Sequence, residues 1–307
     1  MNLTVLGSAA GGGFPQWNCG CPNCIAVREG RANFEPRTQD SLAVTARDPR
    51  DASYVLVNAS PDLLEQIKRT RPLWPKAPRH SPIRAIVLTN GDMDHVLGLF
   101  SLRESYPLAL YATSAVRRGL EENAFLRTLQ RFEGQLVLRT LEIGREVEIR
   151  DASGETTGVH IRAFAAPGKL PVHLMASGTA SDEDNVGLVL HDGTSPKKTA
   201  VYLTACADLE RRTDLEGHAV LLFDGTFYCE DELRKLELSR SLAKDMAHIP
   251  IEGETGSLAR LASIPGCRKI YTHINNTNPI LSLASEERRT VERAGFEIAF
   301  DGMEITL

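Results

Sequence analysis

The sequence has no long apolar run, no block of basic residues and no basic side chain ahead of Arg28. Each absence excludes something. A membrane span needs roughly 18 consecutive apolar residues, and no run here approaches that. Nucleic acid is held chiefly by clustered Lys and Arg on phosphates, yet 35 Lys+Arg stand against 40 Asp+Glu, a net charge of −5. The opening MNLTVLGSAAGGG lacks the charged segment of a secretory signal. A cytosolic protein with neither membrane nor nucleic acid as partner is the expectation.

What is present is an ordinary composition with one anomaly. The chain has 307 residues, 42% hydrophobic and 24% charged, enough to bury a substantial core. Of its six cysteines, Cys19, Cys21 and Cys24 crowd into one stretch, whereas Cys206, Cys229 and Cys267 stand alone. In a reducing compartment a disulfide framework is not expected, so the cluster reads as a metal site.

Apolar patterning alternates strands with helices in both halves. Strand patterns cover residues 3–6, 41–46, 54–58, 85–88 and 108–112, then 186–191, 200–203, 220–223 and 269–272. Residues 136–150 and 158–165 read as paired strands around Gly154. Helices are expected from Pro61 through Lys68 with Ser60 as N-cap, and over 96–104, 114–123, 231–238, 256–262 and 285–294. Residues 296–300 and 303–307 flank Asp301-Gly302, a two-residue hairpin signal. Residues 168–184 form a long, small-residue-rich loop of the kind that borders sites. The sum is a layered α/β domain.

Three motifs carry chemistry. Cys19-Gly-Cys21-Pro-Asn-Cys24 places three thiolates within six residues, suited to one tetrahedral zinc with a fourth ligand from elsewhere. A redox CxxC is its rival, but Cys21-Pro-Asn-Cys24 opens no clear helix here. Asn90-Gly-Asp92-Met-Asp94-His95 follows a buried strand, at the carboxyl end where open α/β sheets gather ligands. It suits a metal site or, equally, an N-cap followed by a surface histidine. Thr272-His273-Ile-Asn-Asn276-Thr-Asn-Pro279 sets a histidine and asparagines after another apolar strand. The loop 7–13 lacks the spacing of a phosphate-binding glycine motif and reads as close backbone packing. Asp224 contributes a carboxylate or a turn, and His248 is a candidate for lining the cavity. His80, His160, His191 and His218 read as ordinary polar histidines, and residues 211–214 as solvated surface.

Taken together the motifs resemble a known family. GSAAGGGFPQWNCGC, RTQDSLAV, NASPDL, HSPI, LTNGDMDHVLGLFSLRE and HINNTNP occur in that order and closely resemble the PQQ synthesis protein B family, a branch of the metallo-β-lactamase superfamily. The resemblance implies a single domain over residues 1–307, an αββα sandwich of two facing mixed sheets with the metal at one edge, and a zinc loop at about 17–26. The superfamily signature HxHxDH falls on Asn90, Asp92, Asp94 and His95, so its first two histidines are absent. Compared with a related phosphodiesterase branch, a later metal histidine falls near Gly168 and a bridging aspartate near Ala205. That branch's last active-site histidine matches His273, and the fourth ligand of its structural zinc matches Asn276. Residues 203–208 depart from the family's usual proline-glycine turn.

Binuclear hydrolysis needs two metals, and the ligands of one are largely missing. Asp94, His95 and His273 remain, with Asp92 adjacent, and two histidines with one carboxylate is the ligand set of non-haem Fe(II) centres. The resemblance implies iron-dependent hydroxylation of the tyrosine ring of a Glu-Tyr-derived precursor in PQQ biosynthesis. The expected catalytic and metal residues are therefore Asp92, Asp94, His95 and His273. Fe(II) is the expected cofactor there, and structural zinc on Cys19, Cys21, Cys24 and Asn276. The partners are a small peptide-derived substrate, O2 and a possible second copy of the chain. Two alternatives stand beside it: a metallohydrolase using Asp208 or Asp224 for the missing ligands, and a carrier of a pathway product.

Overall fold

The computed structural model describes residues 1–46, 53–171, 180–195, 197–210 and 212–307. Residues 172–179 of the expected loop and Arg211 of the charged run lie outside the described residues. The strands are β1 (Asn2–Gly7), β2 (Ser41–Thr45), β3 (Tyr54–Val57), β4 (Ile83–Val87), β5 (Leu108–Ala112), β6 (Leu136–Thr140), β7 (Glu146–Arg150), β8 (Thr156–Ala165), β9 (Val186–Asp192), β10 (Ala200–Leu203), β11 (Val220–Asp224), β12 (Arg268–Thr272), β13 (Phe296–Ile298) and β14 (Glu304–Thr306). The helices are α1 (Pro22–Arg28), α2 (Leu63–Arg69), α3 (Met93–Val96), α4 (Ser114–Glu121), α5 (Glu232–Lys235), α6 (Ser257–Ala262) and α7 (Glu286–Arg293).

Two seven-stranded sheets face each other, in the orders β14-β1-β2-β3-β4-β5-β6 and β13-β12-β11-β10-β9-β8-β7. Both are mixed: β3 to β6 run parallel and so do β10 to β13, while β14-β1-β2-β3 and β7-β8-β9-β10 pair antiparallel. The period-two alternation of strands assigns the side chains. Leu3, Val44, Val57 and Val87 of the first sheet meet Ile161, Leu190, Leu222 and Ile270 of the second between the layers. The intervening Leu56, Ile86 and Leu110 point outward, under α2 and α4. Val201, Leu221 and Tyr271 do the same beneath α6 and α7. Strands covered on both faces read as continuous apolar runs, which is why they were legible. This is the αββα sandwich that the motifs implied. Among the described residues no helix is long and apolar enough to cross a membrane.

Several expected boundaries move. The hairpin across Asp301-Gly302 does not form. Its two arms belong to different sheets, β13 beside β12 and β14 beside β1. The Asp301 carboxylate accepts from the main chain and hydroxyl of both Ser8 and Thr38, and Gly302 donates to the Val5 carbonyl. The turn is thus tied to β1 and carries the chain from one sheet to the other. Residues 136–150 divide likewise: β6 edges the first sheet, and only β7 pairs with β8 around Gly154. Ser60 does not cap α2. The N-cap is Asp62, and the Ser60 hydroxyl donates to Gln66 Oε1. The expected helix 96–104 begins earlier, at Met93, and after one turn tightens into a 3-10 segment, Leu97–Ser101. The expected helix 231–238 contracts to α5.

A candidate metal centre at one edge of the sandwich

Chain reversals after β4, β11 and β12 bring the site together. Because α3 starts at Met93, Asp94 and His95 stand in one helical turn at the end of β4. His273 follows β12 in left-handed backbone (φ 54°), which turns its ring toward the same space. The Asp94 Oδ2 lies 3.3 Å from His273 Nε2 and 3.8 Å from His95 Nε2, and the two rings meet edge to face, 5.3 Å between centroids. Asp92, the N-cap of α3, lines the same cavity but stands outside this three-ligand group.

The hydrogen bonds set the tautomers. His95 Nδ1 is 2.8 Å from Asn90 Oδ1, an atom that only accepts, so Nδ1 carries the proton. That leaves a lone pair on Nε2, which is buried and has no hydrogen-bond partner among the described residues. A buried acceptor left unpaired is costly, whereas a cation shared with Asp94 and His273 satisfies it. The residues present therefore fit a metal ion. His273 Nδ1 is 2.9 Å from the Thr226 hydroxyl, which is itself 2.7 Å from Asp224 Oδ1.

The charges follow the geometry. Burial works against the Asp94 carboxylate, but His95 and the hydrogen-bonded His273 hold its carboxyl well below the usual range. Burial likewise opposes a charge on His273, and Asp94, Asp40 and Asp224 together outweigh it and push the imidazole up to about 9. Burial keeps His95 below its ordinary value, matching the neutral ligand form. Burial raises Asp92.

His248, expected to line the cavity, does so. Its Nδ1 is 2.7 Å from Asp224 Oδ2, and its ring stacks on His273 at 5.5 Å. Asp224, Asp94 and the histidines thus form two overlapping three-ligand groups that share His273. Asp224 is nonetheless fully engaged. It accepts from His248, from the Cys206 and Thr226 main-chain N–H groups and from the Thr226 hydroxyl. Its evident work is to hold His248 and, through Thr226, His273. Asp208 does not line this cavity.

Around Asn90, Gly168 and Ala205, where the resemblance implies further metal ligands, amides fill the space. Asn185 Nδ2 donates to the Ala205 and Ala166 carbonyls and its Oδ1 accepts from Asn90. Gly168 packs on this network so closely that a Cβ there would stand 2.7 Å from the Asn185 side chain. Sequence pattern alone missed Asn185, because nothing near it signals its distant partners.

The thiolate loop sits beside the site. Cys19, Cys21 and Cys24 are free thiols whose sulfurs lie within 4.8 Å of one another. Asn276 Nδ2 donates to all three, at 3.2, 3.6 and 3.3 Å, and the amide would have to turn its Oδ1 inward to serve as the fourth zinc ligand. The expectation that Cys21-Pro-Asn-Cys24 opens no helix is corrected: Cys21 is the N-cap of α1, with Pro22 in its first turn, where proline's missing N–H costs nothing. Convergence of a third sulfur and an amide separates this arrangement from a redox pair. Burial pushes the Cys21 thiol up to about 12. Burial also opposes a charge on Cys19, but the Cys21 N–H, the neighbouring thiols and Asn276 hold its thiol below the ordinary value.

Fold and edge site together define a metallo-β-lactamase-fold protein, and residues 53–274 match the family model of the Beta-lactamase superfamily domain. Coenzyme PQQ synthesis protein B of Methylobacterium sp. (strain 4-46) is 43% identical over 316 residues, covering all of both chains. Its counterpart in Rhizobium meliloti (strain 1021) is 41% identical, covering all of this chain and 98% of that one. The chain belongs to the coenzyme PQQ synthesis protein B family. The crystal structure of Zn(2+)-bound PqqB from Methylobacterium extorquens superposes with a TM-score of 0.90 at 37% identity over the whole of both chains. A diphosphatase from the PhnP family shares the fold, with a TM-score of 0.67 at 21% identity over all of this chain and 97% of that one.

Proposed function

We propose that this chain acts in PQQ biosynthesis in the cytoplasm, as an iron-dependent hydroxylase of the tyrosine ring of a small Glu-Tyr-derived precursor. Asp94, His95 and His273 would hold Fe(II), and Cys19, Cys21, Cys24 and Asn276 a structural zinc. One observation carries the reading. Asp94 and His273 converge on the buried, unpaired Nε2 lone pair of His95, while Asn90 and Asn185 fill the neighbouring space where the resemblance implies a second metal. That donor set suits a single redox metal with open positions. The zinc held by the Methylobacterium extorquens relative supports zinc in this chain, and thiolates are the softer set that favours it.

Iron bound there supplies the activation of O2 that oxygen insertion into an aromatic ring requires. The protein's own groups do the rest. The cavity of about 200 Å³ has room for one aromatic ring, since about 150 Å³ suffices for benzene. Phe227 offers it an apolar wall, and the Lys169 ammonium in the same wall suits a substrate carboxylate. With Nδ1 of His248 held by Asp224, its Nε2 is the atom that takes a proton from the ring or its hydroxyl. Asp92, raised by burial, is a second proton handler.

The test is anaerobic Fe(II) loading, addition of a Glu-Tyr dipeptide and an excess of a two-electron reductant such as ascorbate, whose electrons reduce the second oxygen atom of O2 to water, then exposure to air and mass analysis. A gain of about 16 daltons, one oxygen atom, supports the proposal. Esterase activity of the zinc-loaded protein with no mass gain under iron would favour the hydrolase instead. A His95→Ala, His273→Ala variant that folds and still supports PQQ formation would favour a carrier.

A further inference from the structure

A second imidazole–carboxylate set lies on the outer face of the second sheet. Glu146 opens β7, His160 is mid-β8 and His191 is near the end of β9. Val147, Ile161 and Leu190 of the same strands turn inward to the core, so the alternation puts these three side chains outward together. His160 pairs directly with His191, and Glu146 stands one diagonal step away, opposite Arg162. The cluster is six residues along β9 from the cavity-lining Asn185, about 20 Å at strand rise, and is separate from the edge site.

Its geometry is that of a ligand set. The two rings stack with centroids 5.1 Å apart. Glu146 Oε2 is 3.1 Å from His191 Nε2 and Oε1 is 3.4 Å from His160 Nδ1. Ligand atoms around a tetrahedral ion with bonds near 2.05 Å stand about 3.3 Å apart. His191 Nδ1 lies 2.9 Å from the Asp192 carbonyl, which only accepts, so that nitrogen carries a proton. A neutral His191 then sets its Nε2 lone pair against a carboxylate oxygen, a contact that is favourable only with positive charge between or on them. A histidine whose far N–H is anchored on a carbonyl is the usual arrangement of a metal ligand. The His160 ring fits because residue 193 is glycine: a Cβ there would lie 2.8 Å from His160 Nε2.

The neighbouring charges are engaged elsewhere. Arg162 pairs with Asp214, Glu148 with Arg150 and Thr156, and the Met1 ammonium with Asp192. We propose that Glu146, His160 and His191 form a surface site for a borderline divalent transition-metal ion of the Zn(II) or Ni(II) class, which clips the edge strand β7 to β8 and β9. Two imidazole nitrogens select such ions over Mg(II) or Ca(II), and the remaining positions would be open to water.

The test uses the full-length protein with its edge site and thiolate loop already loaded. Zn(II), Ni(II) and Mg(II) are then added in separate equilibrium-dialysis and thermal-unfolding experiments. The expected result is one further equivalent of Zn(II) or Ni(II), a raised Tm and no response to Mg(II). Glu146→Gln and His160→Gln should each weaken that equivalent by about 10- to 100-fold and remove the Tm response, leaving the other metals in place. These two side chains are accessible, so the test does not depend on substituting the buried His191. Equal stoichiometry and equal Tm response in wild type and both variants would overturn the proposal. So would a Tm lowered by Glu146→Gln and indifferent to metal, which is the signature of a plain imidazolium–carboxylate pair.

Discussion

Replacing Asn90 with Leu tests the claim that a main function of this residue is to set the tautomer of His95. The substitution nearly preserves volume and removes the acceptor 2.8 Å from His95 Nδ1. Among the described residues the fallback is the Thr89 hydroxyl, 3.5 Å away, at the limit of a hydrogen bond. A buried N–H left without a partner costs about 1–3 kcal/mol, so the metal-free variant should unfold at lower urea by an amount in that range. Part of that loss comes from the Asp92 N–H, which Asn90 Oδ1 also accepts. Without the acceptor, His95 is free to place its proton on Nε2, where it blocks coordination. Removing such a supporting contact typically weakens metal binding about 10- to 100-fold, or about 1.4–2.7 kcal/mol. The assay is anaerobic Fe(II) titration against a competing chelator, run beside urea unfolding. Asn90→Asp keeps the acceptor and adds negative charge, so it should bind iron at least as tightly as wild type. The reasoning fails if Asn90→Leu binds iron like wild type, or if Asn90→Asp loses as much as Asn90→Leu.

Two further predictions concern the loop that joins the thiolates to the edge site. Asn276 touches all three sulfurs three residues beyond His273, and Asn23 clamps that segment by donating to the Asn276 and Asn278 carbonyls. Cys21→Ser should therefore lose zinc and also lower iron affinity, by about 10-fold at the low end for a lost supporting contact; unchanged iron binding by metal analysis would sever the link. Glu232 underpins the same segment, accepting from the Thr277 hydroxyl and the Tyr228 N–H, and burial pushes its carboxyl up to about 7. The folded state then holds a proton that the unfolded chain releases near pH 4.3, so the stability from neutral Glu232 is full below that pH and is lost as pH rises through about 7. The loss amounts to about 4 kcal/mol. Glu232→Gln should flatten that decline in urea-unfolding measurements between pH 4.5 and 7.5, roughly the window between the two pKa values; an unaltered slope would refute it.

The local sequence by itself determined the layers and marked the candidate ligands. Runs such as 85–88 and 220–223 are apolar at every position because both faces of their strands are covered, and that signal needs no partner. Cys19, Cys21 and Cys24 are a cluster by spacing alone, and Asp94, His95 and His273 follow strand ends where ligands gather. Tertiary structure decided what spacing does not encode. Asp301-Gly302 has the chemistry of a hairpin, but Ser8 and Thr38 capture its carboxylate from 263 to 293 residues away. Asn185 fills the space beside Asn90 and Gly168 through carbonyls that only the fold brings near. His160 and His191 read as ordinary polar histidines until the register of β8 and β9 sets them side by side, facing Glu146. Hydrophobic period and ligand identity are local properties, readable one segment at a time. Which carboxylate orients which imidazole, and which site receives a metal, depends on contacts between segments remote in sequence, and these exist only once the two sheets have closed on their shared core.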